Sequence, residues 1–100
     1  MVDVRIRRTA KRDLAKIGNY TRERWSEAQA EVYLQSLLHI IEEIGQHPLS
    51  GQDAVSVRAA YRRRLVGAHL IFYAVMPDGS VEIARILHEK SDVLRHLDNK

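Results

Sequence analysis

The first residues of the chain alternate between apolar and charged side chains, which is the period-2 pattern of a half-buried β-strand. Val2, Val4 and Ile6 form the apolar side of this strand. A helical pattern follows, and one of its faces consists of Ala10, Leu14, Ile17, Thr21 and Trp25. We therefore predict a strand and then a helix, for which Thr9 is a suitable N-cap.

A second helix is predicted directly after the first. Ser26 and Gln29 have the spacing of a capping box, in which a hydroxyl group satisfies a free backbone N–H at the start of a helix. The apolar stripe that follows consists of Ala30, Tyr33, Leu34, Leu37, Leu38, Ile41 and Ile44. Gly45 and Pro48 favour the end of this helix. Because almost no loop separates the two helices, we expect an antiparallel hairpin.

The second half of the chain predicts three β-strands. They cover residues 60–66, 68–76 and 80–88. Gly67 and residues 77–79 are turn signals between the strands, and residues 45–57 are predicted to form a loop. We predict one α+β domain over residues 1–100, with an N-terminal strand, an antiparallel helical hairpin, and a three-stranded antiparallel meander with a short C-terminal tail.

The middle predicted strand is apolar on both of its faces. Ile71 and Tyr73 point to one side, whereas Leu70 and Phe72 point to the other. One helical hairpin covers only one face, and leaving the other face in water would forfeit several kcal/mol of burial. Either the C-terminal tail or a partner protein covers the second face, and both alternatives remain open.

The composition narrows the class of protein. Hydrophobic residues make up 45% of the chain, which is ordinary for a globular domain. The absence of cysteine excludes disulfides, thiolate zinc sites and a cysteine nucleophile. The N-terminus lacks the apolar segment of a signal peptide, and the longest apolar run is far shorter than a membrane span. We expect a soluble cytoplasmic protein that does not enter a membrane.

The net charge of +3 conceals three blocks of different sign. Residues 1–25 contain eight Lys and Arg against three Asp and Glu, and residues 58–100 contain eight against five. Residues 26–57 contain five acidic residues and neither lysine nor arginine. Such blocks either attract each other or face different partners.

Two groups of polar residues are candidates for function. The first group consists of Arg58, Arg62, Arg63 and Arg64. These arginines form either a patch that binds phosphate or carboxylate groups or a charged edge that protects the sheet from aggregation. The second group consists of His88, Lys90 and Asp92, at the end of the last predicted strand.

Cleavage of RNA needs a base, an acid and cations that bind the phosphate. His88, with Tyr61 or Tyr73 and the arginines, contains these chemical groups, but sequence spacing does not show that they converge. The alternative is that His88 and Asp92 fix the tail by hydrogen bonds. The five histidines lack the i, i+4 spacing of a zinc site and no cofactor motif occurs, so we expect no metal and no cofactor.

Four segments of the sequence carry a resemblance to a known family. They are AKRDLAKIGNYTRERWSEAQAEVYL, HPLSG, AYRRRLVGAHLIFYAV and VEIARILHEKSD. They resemble the ParE branch of the RelE/ParE superfamily of bacterial type II toxins, over nearly the whole chain. The resemblance implies a toxin that its cognate ParD-like antitoxin holds inactive in a hetero-oligomer.

In this family the antitoxin wraps a partly helical segment over the toxin, which would cover the second face of the middle strand. The antitoxin contacts that the resemblance suggests are Leu14, Ile17, Trp25, Leu65, Ile71, Phe72 and Tyr73. The hypothetical residues for target binding or toxicity are Arg58, Arg62, Arg63, Arg64, His88, Lys90 and Asp92.

Two activities occur in the superfamily. RelE-like members cut mRNA on the ribosome, whereas ParE-like members poison DNA gyrase and have no established catalytic set. The WSEAQAEVYL junction and the ILHEKSD ending resemble ParE proteins. The resemblance therefore implies a non-catalytic gyrase inhibitor that stops replication, with basic residues that contact gyrase or the DNA it holds. The alternatives are a RelE-type endoribonuclease and a non-toxic member that only regulates its operon.

Overall fold

A computed structural model describes residues 3–53 and 61–91, in which two helices cover one face of a five-stranded sheet. The elements are β1 (Val4–Ile6), α1 (Arg8–Arg24), α2 (Glu27–Gln46), a 3₁₀ turn (Pro48–Ser50), β2 (Gln52–Asp53), β3 (Arg62–Val66), β4 (His69–Val75) and β5 (Val81–His88). The strand order is β1-β5-β4-β3-β2, with β1 parallel to β5 and all other neighbours antiparallel. Arg58, Asp92 and the C-terminal tail lie outside the described residues.

The predicted α+β fold is confirmed, with one additional strand. The helical hairpin and the meander of β3, β4 and β5 follow the predicted order. Strand β2 lies in the segment that was predicted to be a loop, and it pairs with Arg62 and Arg63. A strand of two residues is too short to show an alternating pattern. Within the described ranges, neither helix combines the length and the apolar character that a membrane crossing requires.

The two helices begin differently. The hydroxyl of Ser26 accepts a hydrogen bond from the backbone N–H of Gln29 at 3.0 Å, which confirms the predicted cap of α2. Helix α1 begins at Arg8 without a side-chain cap. The prediction that Thr9 caps it was wrong, because the Thr9 hydroxyl donates instead to the carbonyl oxygen of Ala84 at 2.9 Å.

The main core lies between the helical hairpin and one face of the sheet. Its buried members are Ala10, Ile17, Leu37, Ile41, Ile44, Ile71, Tyr73, Val81, Ile83 and Ile86. The helices approach each other closely at Gly18, where an added Cβ would lie 3.1 Å from Cδ1 of Leu34. The small residue in α1 therefore serves the packing of the hairpin, although it weakens the isolated helix.

The opposite face of the sheet carries a smaller apolar cluster. Phe72 and Leu87 are buried there, and Tyr61 and Leu70 pack partly against them. This arrangement confirms that the middle strand is apolar on both faces. Leu65 stands opposite Leu70 and remains 60% exposed, so this face still presents an apolar side chain to solvent.

Helix α1 replaces a neighbouring strand along part of the outer edge of β5. Strand β1 pairs with β5 only as far as Ile83, so the following backbone groups need other partners. The Thr9 hydroxyl satisfies the carbonyl of Ala84, as described above. One turn further along, Oδ2 of Asp13 accepts a hydrogen bond from the backbone N–H of Ile86 at 2.9 Å. Side chains of α1 thus satisfy backbone groups that a strand would otherwise pair.

Asp13 also binds a side chain of β5. Nε of Arg85 donates to Oδ2 of Asp13 at 2.8 Å, and Nη2 donates to Oδ1 at 3.0 Å. The carboxylate is buried, and it raises the pKa of the Arg85 guanidinium above its ordinary value. A buried charge is tolerated when it is paired and fully hydrogen-bonded, and the geometry at Asp13 meets that condition.

Replacing Asp13 with alanine is expected to lower the free energy of unfolding by about 3 kcal/mol, because it removes the carboxylate that binds Arg85 and the N–H of Ile86. Urea denaturation followed by circular dichroism measures this change. Glu23→Ala removes an exposed carboxylate from the same helix and should change stability by less than about 0.5 kcal/mol. Equal stability of the two variants would contradict the role of Asp13.

Candidate functional site

The end of α1, the beginning of α2, the first residue of β4 and the last residue of β5 meet around one concave surface. This surface, here called the histidine trough, is formed by Tyr20, Trp25, Tyr33, His69 and His88. Its main cavity has a volume of about 310 Å³, and an adjoining cavity of about 270 Å³ continues past Lys16. The trough therefore combines aromatic walls with two imidazole rings and a basic rim.

The register between β4 and β5 brings the two histidines together. His69 and His88 are direct cross-strand partners, and their ring centroids lie 5.4 Å apart in an edge-to-face arrangement. A bulge between Phe72 and Tyr73 shifts the pairing by one residue. Without this shift, His69 would lie opposite Leu87. The histidine pair therefore depends on the bulge.

Tyr33 of α2 holds His69 and the turn that precedes it. The Tyr33 hydroxyl lies 2.6 Å from Nδ1 of His69, accepts a hydrogen bond from the N–H of Ala68 at 3.3 Å, and lies 3.2 Å from the carbonyl oxygen of Val66. Gly67 has a φ of +57°, and an added Cβ there would lie 2.8 Å from the same hydroxyl. Position 67 therefore favours glycine for two reasons, its positive φ and the lack of room for a Cβ beside Tyr33.

His88 ends β5 and organises the turn that follows. Its Nδ1 accepts a hydrogen bond from the backbone N–H of Lys90 at 3.1 Å, and its carbonyl accepts one from the Ser91 hydroxyl at 2.6 Å. The N–H of Glu89 donates to the carbonyl of Ala68 at 2.8 Å. The imidazole is exposed, so it remains accessible to a partner while it fixes this turn.

The environment of the trough favours a neutral imidazole at His69. Burial lowers the pKa of His69 below its ordinary value, and the proximity of His88 lowers it further, whereas Asp13 and Glu89 act in the opposite direction. Burial is also the main reason that the pKa of the Tyr33 hydroxyl is raised. At neutral pH the inner part of the trough thus presents an uncharged phenol beside an uncharged imidazole.

Tyr20 and Trp25 form the outer part of the trough and are 61% and 73% exposed. Trp25 was predicted to continue the buried face of α1. That prediction was wrong, because α1 ends at Arg24 and the backbone of Trp25 leaves the helical conformation. The guanidinium carbon of Arg24 lies 5.7 Å from the centroid of the Tyr20 ring, which is within cation–π distance. Exposed aromatic rings on a concave surface are typical of binding sites.

Two arginines of β3 make structural contacts. Nη1 of Arg62 donates to the carbonyl of Gly51 at 2.9 Å. Arg64 donates to the carboxylate of Glu43 at 3.1 Å and to the hydroxyl of Ser50 at 3.2 Å. These contacts attach β3 to α2 and to the segment that follows it, so two members of the predicted arginine patch already have partners within the fold.

The groups considered for RNA cleavage do not all lie on one face of the sheet. Arg63 stands opposite Phe72 on the face away from the helices, whereas His88 stands opposite His69 on the side that α2 covers. Among residues 3–53 and 61–91, no three His, Cys, Asp or Glu side chains are grouped so that they could hold a metal ion.

The two tyrosines considered for that chemistry have structural partners. The hydroxyl of the fully buried Tyr73 donates to the carbonyl of Pro48 at 2.7 Å and accepts from the N–H of Gly51 at 2.9 Å. The hydroxyl of Tyr61 accepts a hydrogen bond from Arg7 at 3.1 Å. Both hydroxyls are therefore bonded to groups other than His88.

The seven residues suggested as antitoxin contacts occur in different settings. Ile71, Phe72 and Tyr73 are fully buried. Ile17 is also buried, and Leu14 packs partly against the main core. Of the seven, Trp25 and Leu65 have side chains that are mostly exposed. A partner would therefore reach Trp25 and Leu65 directly, and the buried residues only by a change of conformation.

Sequence reasoning did not assign Lys16, Tyr20 or Tyr33 to a site. The signal for Lys16 and Tyr20 was present, because they are four residues apart on the polar side of α1 and so are neighbours on the helix surface. The position of Tyr33 beside His69 depends on tertiary packing, which periodicity does not report.

Two solved toxin–antitoxin assemblies contain chains with this fold. A chain of the chromosomal ParDE system from P. aeruginosa aligns with a TM-score of 0.78 at 18% identity, over 88% of this chain and 96% of that chain. A chain of the RelBE2 complex from Mycobacterium tuberculosis aligns with a TM-score of 0.66 at 21% identity, over 88% of this chain and 98% of that chain. The chain therefore shares its fold with chains of both assemblies.

Sequence comparison identifies the family to which the chain belongs. A family model for the ParE toxin of the type II toxin–antitoxin system ParDE matches residues 4–93. The chain is 41% identical to Toxin ParE1 of Caulobacter vibrioides over 97 residues, 97% of this chain and 99% of that protein. It is 36% identical to Toxin ParE1 of Mycobacterium tuberculosis over 88 residues, 88% and 90% of the two chains. The chain belongs to the ParE toxin family of type II toxin–antitoxin systems.

The lowered pKa of His69 predicts that stability rises with pH near neutrality. Below about pH 6.5 the unfolded chain binds more protons at this residue than the folded protein does. The contribution of neutral His69 to the free energy of unfolding is fully present above about pH 6.5. It is lost as the pH falls from about 6.5 through the pKa that His69 has in the folded protein. The slope of unfolding free energy against pH should be smaller in His69→Gln than in the unsubstituted protein.

NMR titration of the imidazole ring gives the same test without unfolding the protein. The pKa of His69 is expected below about 6.5, and it should rise when His88 is replaced with glutamine, which removes one of the two causes of the shift. A His69 titration at or above the ordinary value would contradict this description of the trough.

Proposed function

We propose that this ParE-family toxin inhibits DNA gyrase, and thereby replication, in the cytoplasm, and that direct binding of a ParD-like antitoxin neutralises it. The observation that carries the proposal is the family match over residues 4–93, together with two ParE1 relatives aligned over most of their length. The ParDE system among the structures with this fold supports an antitoxin as partner.

The proposed inhibitor is not an enzyme and acts by binding. Catalysis of RNA cleavage would need an acid, a base and a phosphate-binding cation within reach of one phosphodiester. Arg63 and His88 are on opposite sides of the sheet, and Arg62 and Arg64 are bonded to Gly51 and Glu43. The hydroxyl of Tyr73 is committed to the backbone of Pro48 and Gly51. This separation supports a toxin whose surface contacts its target.

The candidates for target binding are the polar residues that have no structural role in the described contacts. Arg63 and Lys90 meet this condition, and His88 presents an exposed ring. Arg62 and Arg64 are instead assigned to the support of β3, because both donate to groups near the end of α2. Arg58 and Asp92 lie outside the described residues and remain predictions.

The antitoxin is proposed to contact the toxin through Trp25 and Leu65. These side chains lie on different sides of the molecule, since Trp25 borders the trough and Leu65 lies on the face of the sheet away from the helices. A segment that wraps around the toxin reaches both positions. The buried Ile71, Phe72 and Tyr73 would then support this surface from beneath.

Replacing Trp25 or Leu65 with aspartate is expected to weaken antitoxin binding by roughly 30-fold, which corresponds to about 2 kcal/mol for an apolar anchor. Isothermal titration calorimetry with the cognate antitoxin measures this loss. Val32→Asp is the matched control, because Val32 is a 64% exposed apolar residue on α2. Unchanged affinity in both Trp25→Asp and Leu65→Asp would contradict the proposed contacts.

The target is tested with two assays of the same protein preparation. In the presence of gyrase, ATP and supercoiled plasmid, the toxin should accumulate cleaved DNA, and addition of the antitoxin should reverse the effect. In a ribosome-dependent translation reaction it should leave mRNA intact. Cleaved mRNA with intact plasmid would overturn the proposal in favour of a ribonuclease, and no effect in either assay would indicate a purely regulatory member.

A further inference from the structure

A stripe of five exposed side chains runs along the outer surface of α1. Its members, spaced four residues apart, are Arg8, Arg12, Lys16, Tyr20 and Arg24. Because an α-helix rises about 1.5 Å and turns about 100° per residue, neighbouring members are separated by about 6 Å along the axis and by about 40° around it. The five positions therefore extend over about 24 Å and wind around part of the exposed surface of α1. This stripe, here called the basic stripe, presents four cations and one aromatic ring to solvent.

The basic stripe is not explained by the stability of the fold. Among the described residues, Arg8, Arg12 and Lys16 have no acidic partner, and the acidic neighbour Asp13 is turned inward to Arg85. The first turn of α1 contains no acidic residue and no side-chain cap. Cations at this end of a helix oppose its dipole, which disfavours them by a few tenths of a kcal/mol or more each. This arrangement favours an anionic partner outside the chain.

The basic stripe leads directly into the histidine trough. Lys16 and Tyr20 belong to both, since they line the same cavity as His69 and His88. Beyond Tyr20 the main cavity is bordered by the rings of Trp25 and Tyr33. An elongated polyanion on the stripe would therefore have one end over a concave, aromatic-lined surface.

We propose that the basic stripe and the histidine trough bind single-stranded nucleic acid, with phosphates along α1 and one unpaired base stacked in the trough against Trp25. Lysine and arginine along a groove bind the phosphate backbone, and exposed aromatic rings stack on bases of any sequence. A base inside a duplex cannot enter the cavity, so the site selects unpaired strands. An acidic peptide would match the charge of the stripe but would not need the aromatic rings.

The binding experiment uses the full chain, free of antitoxin and gyrase, so its outcome is independent of the proposed gyrase inhibition. Trp25 is the single tryptophan of the sequence, and its fluorescence reports directly on the trough. Short oligothymidylate should quench this fluorescence, with an affinity that falls steeply with salt. Duplex DNA of the same length should bind with less quenching, and polyglutamate should not quench.

Variants separate the stacking contribution from the charge contribution. Measured by anisotropy of a labelled oligothymidylate, Trp25→Leu should weaken binding about tenfold, and Trp25→Phe should retain most of the affinity. Lys16→Gln should weaken binding and reduce the slope of log affinity against log salt by about one. Arg5→Gln removes the same charge from an exposed position on β1, and its affinity should stay within about twofold of the unsubstituted protein.

Three results of the oligothymidylate measurements would overturn the proposal. They are no binding of oligothymidylate at low salt, equal effects of Lys16→Gln and Arg5→Gln, and binding that is unaffected by Trp25→Leu. Equal quenching by polyglutamate would also reject it, in favour of an acidic protein segment as the ligand of this surface. Because Trp25, Lys16 and Arg5 are exposed, none of these substitutions removes a buried contact, and circular dichroism confirms that each variant is folded.

Discussion

The carboxylate of Asp13 binds two parts of β5 at once, the guanidinium of Arg85 and the backbone N–H of Ile86. These bonds fix α1 against the edge of β5 beyond the point where β1 ends. They also determine where Lys16 and Tyr20 lie relative to the end of the strand, because both follow Asp13 on the same helix. The histidine trough exists only while α1 and β5 keep this position. The contacts of Asp13 therefore determine the shape of the proposed binding surface, although Asp13 itself is not proposed to touch a ligand.

Periodicity predicted the helices, the meander and most core positions, because burial follows the repeat of each element. It also assigned Ile71 and Phe72 to opposite faces of β4 correctly, and they belong to the two different apolar clusters. The bulge in the pairing of β4 with β5 could not be predicted, because it depends on the packing of both strands. Because this bulge sets the register, the position of His69 opposite His88 could not be predicted either. The same limit applies to the parallel pairing of β1 with β5.

The candidate site was less accessible to sequence reasoning than the fold was. Residue type identified the arginines of β3, but only their partners show that Arg62 and Arg64 support the chain while Arg63 faces solvent on the other side of the sheet. Trp25 was placed on the buried face by its spacing, and the end of α1 one residue earlier turns it outward. A side chain such as Trp25 lies at the end of a helix, where the repeat of the helix no longer determines which way the side chain points.

The family membership, the α1–β5 junction and the exposed aromatic trough together support the proposal of a toxin that acts through its surface. Hydroxyl-radical footprinting of the toxin within a gyrase–DNA cleavage complex tests this claim most directly, because it reports the accessibility of individual side chains. The account predicts that Trp25 and Tyr20, which are mostly exposed in the free protein, become protected in the complex. Unchanged reactivity of both rings in the complex would contradict it.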